Sequence, residues 1–306
     1  MMNLPTLRQL QHLVALAEER HFGRAAARSS VTQSSLSASI KELETGLEAA
    51  LVDRTKRKVV LTPLGLETVA RARRVIAEAE ELARAARAAQ APLSGDLHLG
   101  VIPTIGPYLL PTALPKLRRK YPKLRLFLVE DLTARLVRDL EEGKLDAILL
   151  ALPYACGNVE TRILFEDRFL AALPHDHPLA KAREIEPASL AAPELLLLQD
   201  GHCLRDHALA ACSLAGPRYG AAVEATSLPT LVQMVDNGLG VTLLPELAID
   251  AGILRGTRLV TRPLAGTPPV RKIGLVWRRG TGRQEEFELL AQELAALAPK
   301  HAAKGG

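Results

Sequence analysis

The chain of 306 residues has little that would tie it to a membrane, to secretion or to an aromatic binding platform. No apolar run approaches the roughly 18 residues that a membrane span needs. The first residues, Met1-Met2-Asn3-Leu4-Pro5-Thr6-Leu7-Arg8, lack the charged start, apolar block and small-residue cleavage site of a secretory signal. A cytoplasmic location without a membrane partner is therefore expected. Three cysteines are too few for a disulfide framework. In the cytosol, disulfides are transient, catalytic or redox-sensing rather than structural. Aromatic residues make up 3% of the chain, which argues against binding nucleic acid by stacking bases. There is no internal repeat, and low complexity is confined to the tail 301–306.

What is present is ordinary for a soluble protein: 48% apolar, 24% charged. The net charge of +5 is uneven. Residues 1–90 hold 14 Lys/Arg and 10 Asp/Glu, whereas the other 216 hold 25 and 24. Positive charge at one end is a weak pointer to nucleic acid until a motif supports it.

The first sixty residues read as three short helices and a hairpin. Leu7, Leu10, Leu13, Val14 and Ala17 recur at helical spacing. A second helix is expected over 23–29 and a third over 32–46, its buried stripe being Leu36, Ile40, Leu43 and Leu47. Two strands around a basic tip should follow within 51–61. This is the plan of a winged helix-turn-helix, whose third helix enters the major groove by its N-terminal face. That face carries Thr32, Gln33, Ser34, Ser35, Ser37 and Ser39, short or amide side chains that suit base edges and phosphates. Arg54, Lys56, Arg57 and Lys58 on the wing would hold the DNA backbone.

Thr62 and Pro63 suit the start of a long helix, unbroken from Leu64 to Gln90. Leu64, Val69, Ile76, Ala79, Leu82, Ala83 and Ala86 give it a partial apolar seam, as expected of a helix that pairs with a second copy. Strands are then expected at 96–102, 124–129, 145–151, 168–173, 194–199, 220–224, 240–244 and 270–277. Helices are expected near 107–120, 132–142, 203–215, 228–237, 245–251 and 283–297. The alternation implies α/β sheets in two lobes with a cleft between them. The expected division is a winged helix-turn-helix over 1–62, a linker and dimerisation helix over 63–91, and a regulatory domain over 92–306. The domain's lobe I would hold 95–164 and 269–300, and lobe II 165–268.

Cys203 lies in Gly201-His202-Cys203-Leu204-Arg205-Asp206, flanked by a histidine and an arginine that would favour its thiolate. Cys212 follows nine residues later. If the span between is helical, the two Cα atoms stand roughly 13–14 Å apart, too far for a disulfide without rearrangement. By pattern alone Cys212 is a small buried helix residue, and Cys156 has no assigned role.

Two sets of motifs carry a family resemblance. His21-Phe22-Gly23-Arg24-Ala25-Ala26, Val31-Thr32-Gln33-Ser34-Ser35-Leu36-Ser37, and Arg54-Thr55 leading to Leu61-Thr62-Pro63-Leu64-Gly65 resemble the DNA-binding domain of the LysR family of bacterial transcription regulators. Ser34 departs from the proline frequent there, which bears on base preference. Pro103-Thr104-Ile105-Gly106-Pro107-Tyr108, the segment around Cys203, Ala225-Thr226-Ser227-Leu228, Gly240-Val241-Thr242-Leu243-Leu244-Pro245 and Ile273-Gly274-Leu275-Val276-Trp277-Arg278 are similar to a narrower group within it, the peroxide sensors. The resemblance spans nearly the whole chain. It implies an α/β multidomain protein whose two-lobed regulatory domain is like a periplasmic binding protein. It implies that Cys203 is oxidised to a sulfenic acid and that Cys212, at the family's spacing, resolves it to a disulfide. It adds Thr104 and Thr133 as pocket hydroxyls, Arg271 as the cation that polarises peroxide, and Asp206 as a group that helps move a proton, beside His202 and Arg205. The implied partners are double-stranded DNA, hydrogen peroxide, further copies of the chain as dimer or tetramer, RNA polymerase and a thiol reductant. No cofactor, metal or enzymatic turnover is implied.

Three other readings fit some of these residues. A metal sensor would use His202, Cys203 and His207, with His175 and His177 elsewhere, but the spacing is not that of a tight zinc site. A LysR regulator answering to a small organic effector would share the fold and leave the cysteines idle. A thiol peroxidase would turn over repeatedly and leave the front domain without a purpose.

Overall fold

The computed structural model describes residues 4–55, 58–88, 91–190, 195–211, 224–266 and 270–298. These form two compact units, one of residues 1–87 with 141–144 and one of the rest.

In the first unit, α1 (Leu7–Glu19), α2 (Phe22–Arg28) and α3 (Gln33–Gly46) are each started by a side chain that satisfies free helix amides. Thr6 caps α1 in a capping box with Gln9, His21 accepts from the amides of Gly23 and Arg24, and Thr32 accepts from Ser35. The helices meet over Leu10, Leu13, Leu16, Leu36, Ile40 and Leu43. Leu47, expected in that stripe, is exposed, because α3 ends at Gly46 and its cap turns away from the core. The wing is an antiparallel pair, β1 (Val52–Thr55) and β2 (Lys58–Leu61). Glu44 of α3 accepts from the amides of Leu51 and Val52 and so anchors the wing to the third helix. Then α4 (Pro63–Ala88) begins at Thr62, whose hydroxyl accepts from Gly65 and donates to the Ala50 carbonyl. A Cβ at Gly65 would lie 2.1 Å from the Leu51 carbonyl oxygen, so the motif needs glycine there. Val69, Ala72 and Ala77 of α4 are buried, while Leu64, Leu66, Val75 and Leu82 are exposed in the single chain.

The second unit runs β3 (Gly95–Val101), α5 (Gly106–Lys120), β4 (Leu124–Glu130), α6 (Thr133–Glu141), β5 (Ala147–Leu152), β6 (Val159–Asp167), β7 (Phe169–Pro174), β8 (Leu197–Leu198), α7 (Cys203–Ala211), β9 (Glu224–Ala225), α8 (Leu228–Asp236), β10 (Thr242–Pro245), α9 (Glu246–Asp250), β11 (Leu259–Pro263), β12 (Arg271–Arg278) and α10 (Gln284–Ala295). Five strands form one sheet in the order β4-β3-β5-β12-β6, and three form another in the order β10-β7-β11. In the first sheet β3 runs parallel to β4 and β5, and β12 runs antiparallel to β5 and β6. Each sheet has its own apolar core. The chain passes from the first sheet to the second after β6 and returns at β12.

The expected helices and most strands are present, but β6 and β11 were not anticipated. Both are edge strands: β6 bonds only to β12, and β11 only to β7. Strands covered on few sides carry mixed sequence, such as Glu160-Thr161-Arg162, and give no clean alternation. By contrast β5, flanked on both sides in its sheet, is a continuous apolar run, Ala147-Ile148-Leu149-Leu150-Ala151-Leu152. The helix expected over 203–215 is described as far as Ala211, and Cys212 lies outside the described residues. So do most of the strand expected at 220–224 and the end of the linker helix, 89–90.

Candidate functional site

The site grows from the first residue of α7. Cys203 is buried and unpaired, and its side chain belongs to the core of the first sheet. One and five residues on, Leu204 and Ala208 belong to the core of the second. The start of α7 thus bridges the two cores. On the first-sheet side, the main chain of Ala151 on β5 bonds to the sulfur, and Thr133, the first residue of α6, lies beside it.

Arg271 opens β12 opposite Asp167, the last residue of β6. Its side chain is fully buried. Nε donates to Asp167 Oδ2 at 2.9 Å, Nη1 to the Thr104 hydroxyl at 2.9 Å and Nη2 to the Thr104 carbonyl at 3.1 Å. Nη2 also stands 2.7 Å from Asp167 Oδ2. The other oxygen of Asp167 accepts from the amide of Leu247 on α9, so the ion pair joins the crossover to the second lobe. A cation buried this completely needs both its carboxylate and its neutral acceptors.

The electrostatics differ from the expectation for Cys203. Burial is the largest influence and pushes the thiol up; Arg271, Thr133 and the main chain of Ala151 pull it down, and Asp206 pushes it up again. His202 and Arg205 are not the source of activation. Burial lowers His202 from its ordinary value, so the imidazole is neutral at pH 7. Arg205 directs its guanidinium to Asp200 at 3.0 Å and to the Leu198 carbonyl at 3.1 Å. Asp206 lies in the first turn of α7 and is exposed.

The Thr133 hydroxyl is close enough to the sulfur to favour the thiolate. It nevertheless makes no well-aligned hydrogen bond with any group among the described residues, although it is buried. A buried hydroxyl without a partner is costly unless a polar guest completes it. Thr104 is thus joined to Arg271, Thr133 lies beside Cys203 within the field of that arginine, His202 is buried at the entry to α7, Arg205 is engaged by Asp200 and the Leu198 carbonyl, and Asp206 is exposed but acts on the sulfur by its charge. Cys156 is buried, its thiol donating to the Tyr154 carbonyl at 3.4 Å.

Sequence reasoning missed two participants. Asp167, which neutralises Arg271, ends an edge strand whose pattern gave no signal. Tyr108 sits in a quoted motif, packs on both cores, and has its phenol pushed up to about 12 by burial and by Glu130, against the opposing pull of Arg271.

On the DNA side, Thr32, Gln33, Ser34 and Ser35 are exposed at the start of α3, and Ser37 is half-buried. Thr32 Oγ1 stands 3.0 Å from Ser34 Oγ and 2.8 Å from Ser35 Oγ. Ser39 is not free to read bases: its hydroxyl is 2.8 Å from Nδ1 of buried His12, because a residue two past Ser37 rotates towards α1. Arg54 and Lys58 lie on β1 and β2, and Lys56 and Arg57 are outside the described residues.

Among the described residues, no three or more histidine, cysteine or acidic side chains are placed to hold a metal, and no helix is long and apolar enough to cross a membrane.

Known proteins are similar to this chain in sequence and fold. Residues 7–66 match the bacterial regulatory helix-turn-helix proteins of the lysR family, and residues 90–299 match the LysR substrate binding domain. The chain is 43% identical over 296 residues to the HTH-type transcriptional regulator EstR of Acinetobacter baylyi, covering 96% of this chain and 97% of EstR. It is 42% identical over 295 residues to the hydrogen peroxide-inducible genes activator of Escherichia coli O157:H7, covering 96% of each. The structure of a cysteine-to-aspartate variant of full-length OxyR from Pseudomonas aeruginosa superposes with a TM-score of 0.78 at 38% identity, over 95% of each chain. With both halves matched and full-length relatives above 40% identity, the chain belongs to the LysR family of bacterial transcription regulators and resembles its OxyR members.

Proposed function

We propose that this protein is a DNA-binding transcription regulator that senses hydrogen peroxide at Cys203. The observation that carries the reading is the setting of that sulfur, buried between two lobes within the field of Arg271 and beside a Thr133 hydroxyl that makes no well-aligned hydrogen bond among the described residues. A peroxide oxygen entering there would complete the hydroxyl, and donors so placed would stabilise the departing oxygen. The thiolate attacks one oxygen, the O–O bond breaks, and the other oxygen leaves as water once protonated, giving a sulfenic acid.

Cys212 would then displace hydroxide from that acid and close a disulfide. Intact α7 opposes this. From Cys203 to Ala211 the helix rises about 12 Å at ~1.5 Å per residue. Cys212 is one residue further and its Cα is within ~3.8 Å of Ala211. The pair is thus held at least about 8 Å apart, beyond the roughly 7 Å limit for bridging. Closure requires α7 to unwind, and Leu204 and Ala208 would carry the change into the second core.

Gln33, Thr32, Ser34, Ser35 and Ser37 would contact DNA, with Arg54, Lys56, Arg57 and Lys58 on its backbone. The regulator would act in the cytoplasm as a dimer or tetramer paired through 63–91, between a DNA-binding domain at 1–62 and a regulatory domain at 92–306. RNA polymerase and a thiol reductant complete the cycle. Brief peroxide exposure followed by peptide mass spectrometry should show a Cys203–Cys212 crosslink and unmodified Cys156. A LysR regulator answering to a small organic effector is the competing reading, and EstR, equally similar, is named a transcriptional regulator without reference to peroxide. That reading prevails if C203S leaves the promoter's peroxide response unchanged.

A further inference from the structure

We propose that His207 carries the proton of the Cys203 reaction, taking it from the thiol as the sulfur attacks and passing it to the departing oxygen. This rests on Cys203 being the peroxide-reactive sulfur. His207 follows Cys203 by four residues on α7, which puts both side chains on one face with Cβ atoms roughly 6 Å apart. Its Nδ1 is buried and has no hydrogen-bond partner among the described residues. Arg271 acts electrostatically on both Cys203 and His207, so both lie within the field of one cation.

The chemistry needs such a group. Burial holds Cys203 largely as the thiol, which is a poor nucleophile until its proton leaves. Arg271 and Thr104 cannot accept it: the guanidinium stays protonated and the hydroxyl is already engaged. A neutral imidazole can accept at one nitrogen. The balance is one thiol and one peroxide giving one sulfenic acid and one water. The S–O bond forms, the O–O bond breaks, sulfur is oxidised, both peroxide oxygens are reduced, and His207 ends neutral as it began. The charged groups acting on His207 are Arg271 from β12, which with burial lowers it, and Asp206 from its own helix, which raises it. β8, packed on α7, presents only Leu197 and Leu198. The net shift is downward, so the imidazole is neutral and ready at pH 7.

The test is the rate of Cys203 oxidation in the reduced full-length protein, followed by sulfenic-acid trapping from pH 5 to 8.5. In the wild type the rate should be flat near neutrality and fall only as acid protonates the imidazole. H207Q keeps a polar amide but cannot carry a proton. It should react about a hundredfold more slowly at pH 7. Its rate should instead climb tenfold per pH unit with the thiolate. Circular dichroism checks the fold, and H207N replaces H207Q if helix is lost. A variant with the wild-type rate and profile overturns the proposal, as does one slowed equally at every pH, which would mark a structural role. A wild type that leaves Cys203 unoxidised overturns both this and the peroxide reading.

Discussion

At the scale of single residues, the site separates groups that hold structure from groups that await a guest. Arg271 is of the first kind. R271M would leave the Asp167 carboxylate buried without its cation, at a cost of about 3–5 kcal/mol in unfolding free energy, measurable by urea denaturation. Thr133 is of the second kind. Because its hydroxyl makes no well-aligned hydrogen bond among the described residues, T133V should leave the urea midpoint unchanged or slightly raised, while Cys203 oxidation slows about tenfold or more. A T133V protein that loses stability and keeps its oxidation rate would refute this division. The same contrast marks what could be read in advance. Thr104, Thr133 and Arg271 were named by resemblance to a family pattern; Thr104 bonds Arg271, and Thr133 lies beside Cys203. Their spacing along the chain, 29 and 138 residues, gives no hint of contact. The expected activation of Cys203 by its neighbours in sequence did not survive, since Arg205 turns to Asp200 and the effective charge comes from another strand.

At the scale of elements, α7 and the start of α4 each do one thing. If the disulfide requires α7 to unwind, weakening that helix should speed closure without touching the first oxidation. Ala210 is exposed in α7, and A210G costs a helix about 1 kcal/mol. Disulfide closure should then run roughly fivefold faster, with sulfenic-acid formation unchanged, by trapping kinetics. In the DNA-binding unit, G65A would drive a methyl into the Leu51 carbonyl and should cost about 1–3 kcal/mol, seen as a lower melting temperature. The start of the long helix was legible because Thr62 is a polar cap ahead of an apolar period, and Thr6, Thr32 and Ser227 cap their helices in the same way. The edge strands β6 and β11 were not, because half-exposed strands take residues of either kind.

At the scale of the whole molecule, three buried or half-buried imidazoles set the response to acid. His12, His202 and His207 are all lowered from the ordinary histidine value, chiefly by burial. The unfolded chain therefore binds more protons in the window just below about 6.5, and stability rises with pH there. The contribution is fully present above that value and is lost as pH falls towards the folded-state values. Urea midpoints should drop between pH 7 and 5, and H12Q should drop less. DNA recognition is a property of paired reading heads, so Q33A should relax preference at one base position per half-site, costing about 1–3 kcal/mol of discrimination in competition binding.

The order of elements, the winged helix-turn-helix, the alternation of strands and helices, and the choice of Cys203 as the candidate reactive cysteine came from the sequence alone. Each is written in local periodicity, in caps, or in a contiguous motif. Which charge acts on that sulfur, which hydroxyl lies beside it, and how a carboxylate at the end of β6 neutralises a guanidinium at the start of β12 were decided only by tertiary structure. The reason is physical: these interactions act across a few ångströms of space between residues far apart in the chain. Burial, which pushes the thiol up and the imidazoles down, exists only once two cores close around them.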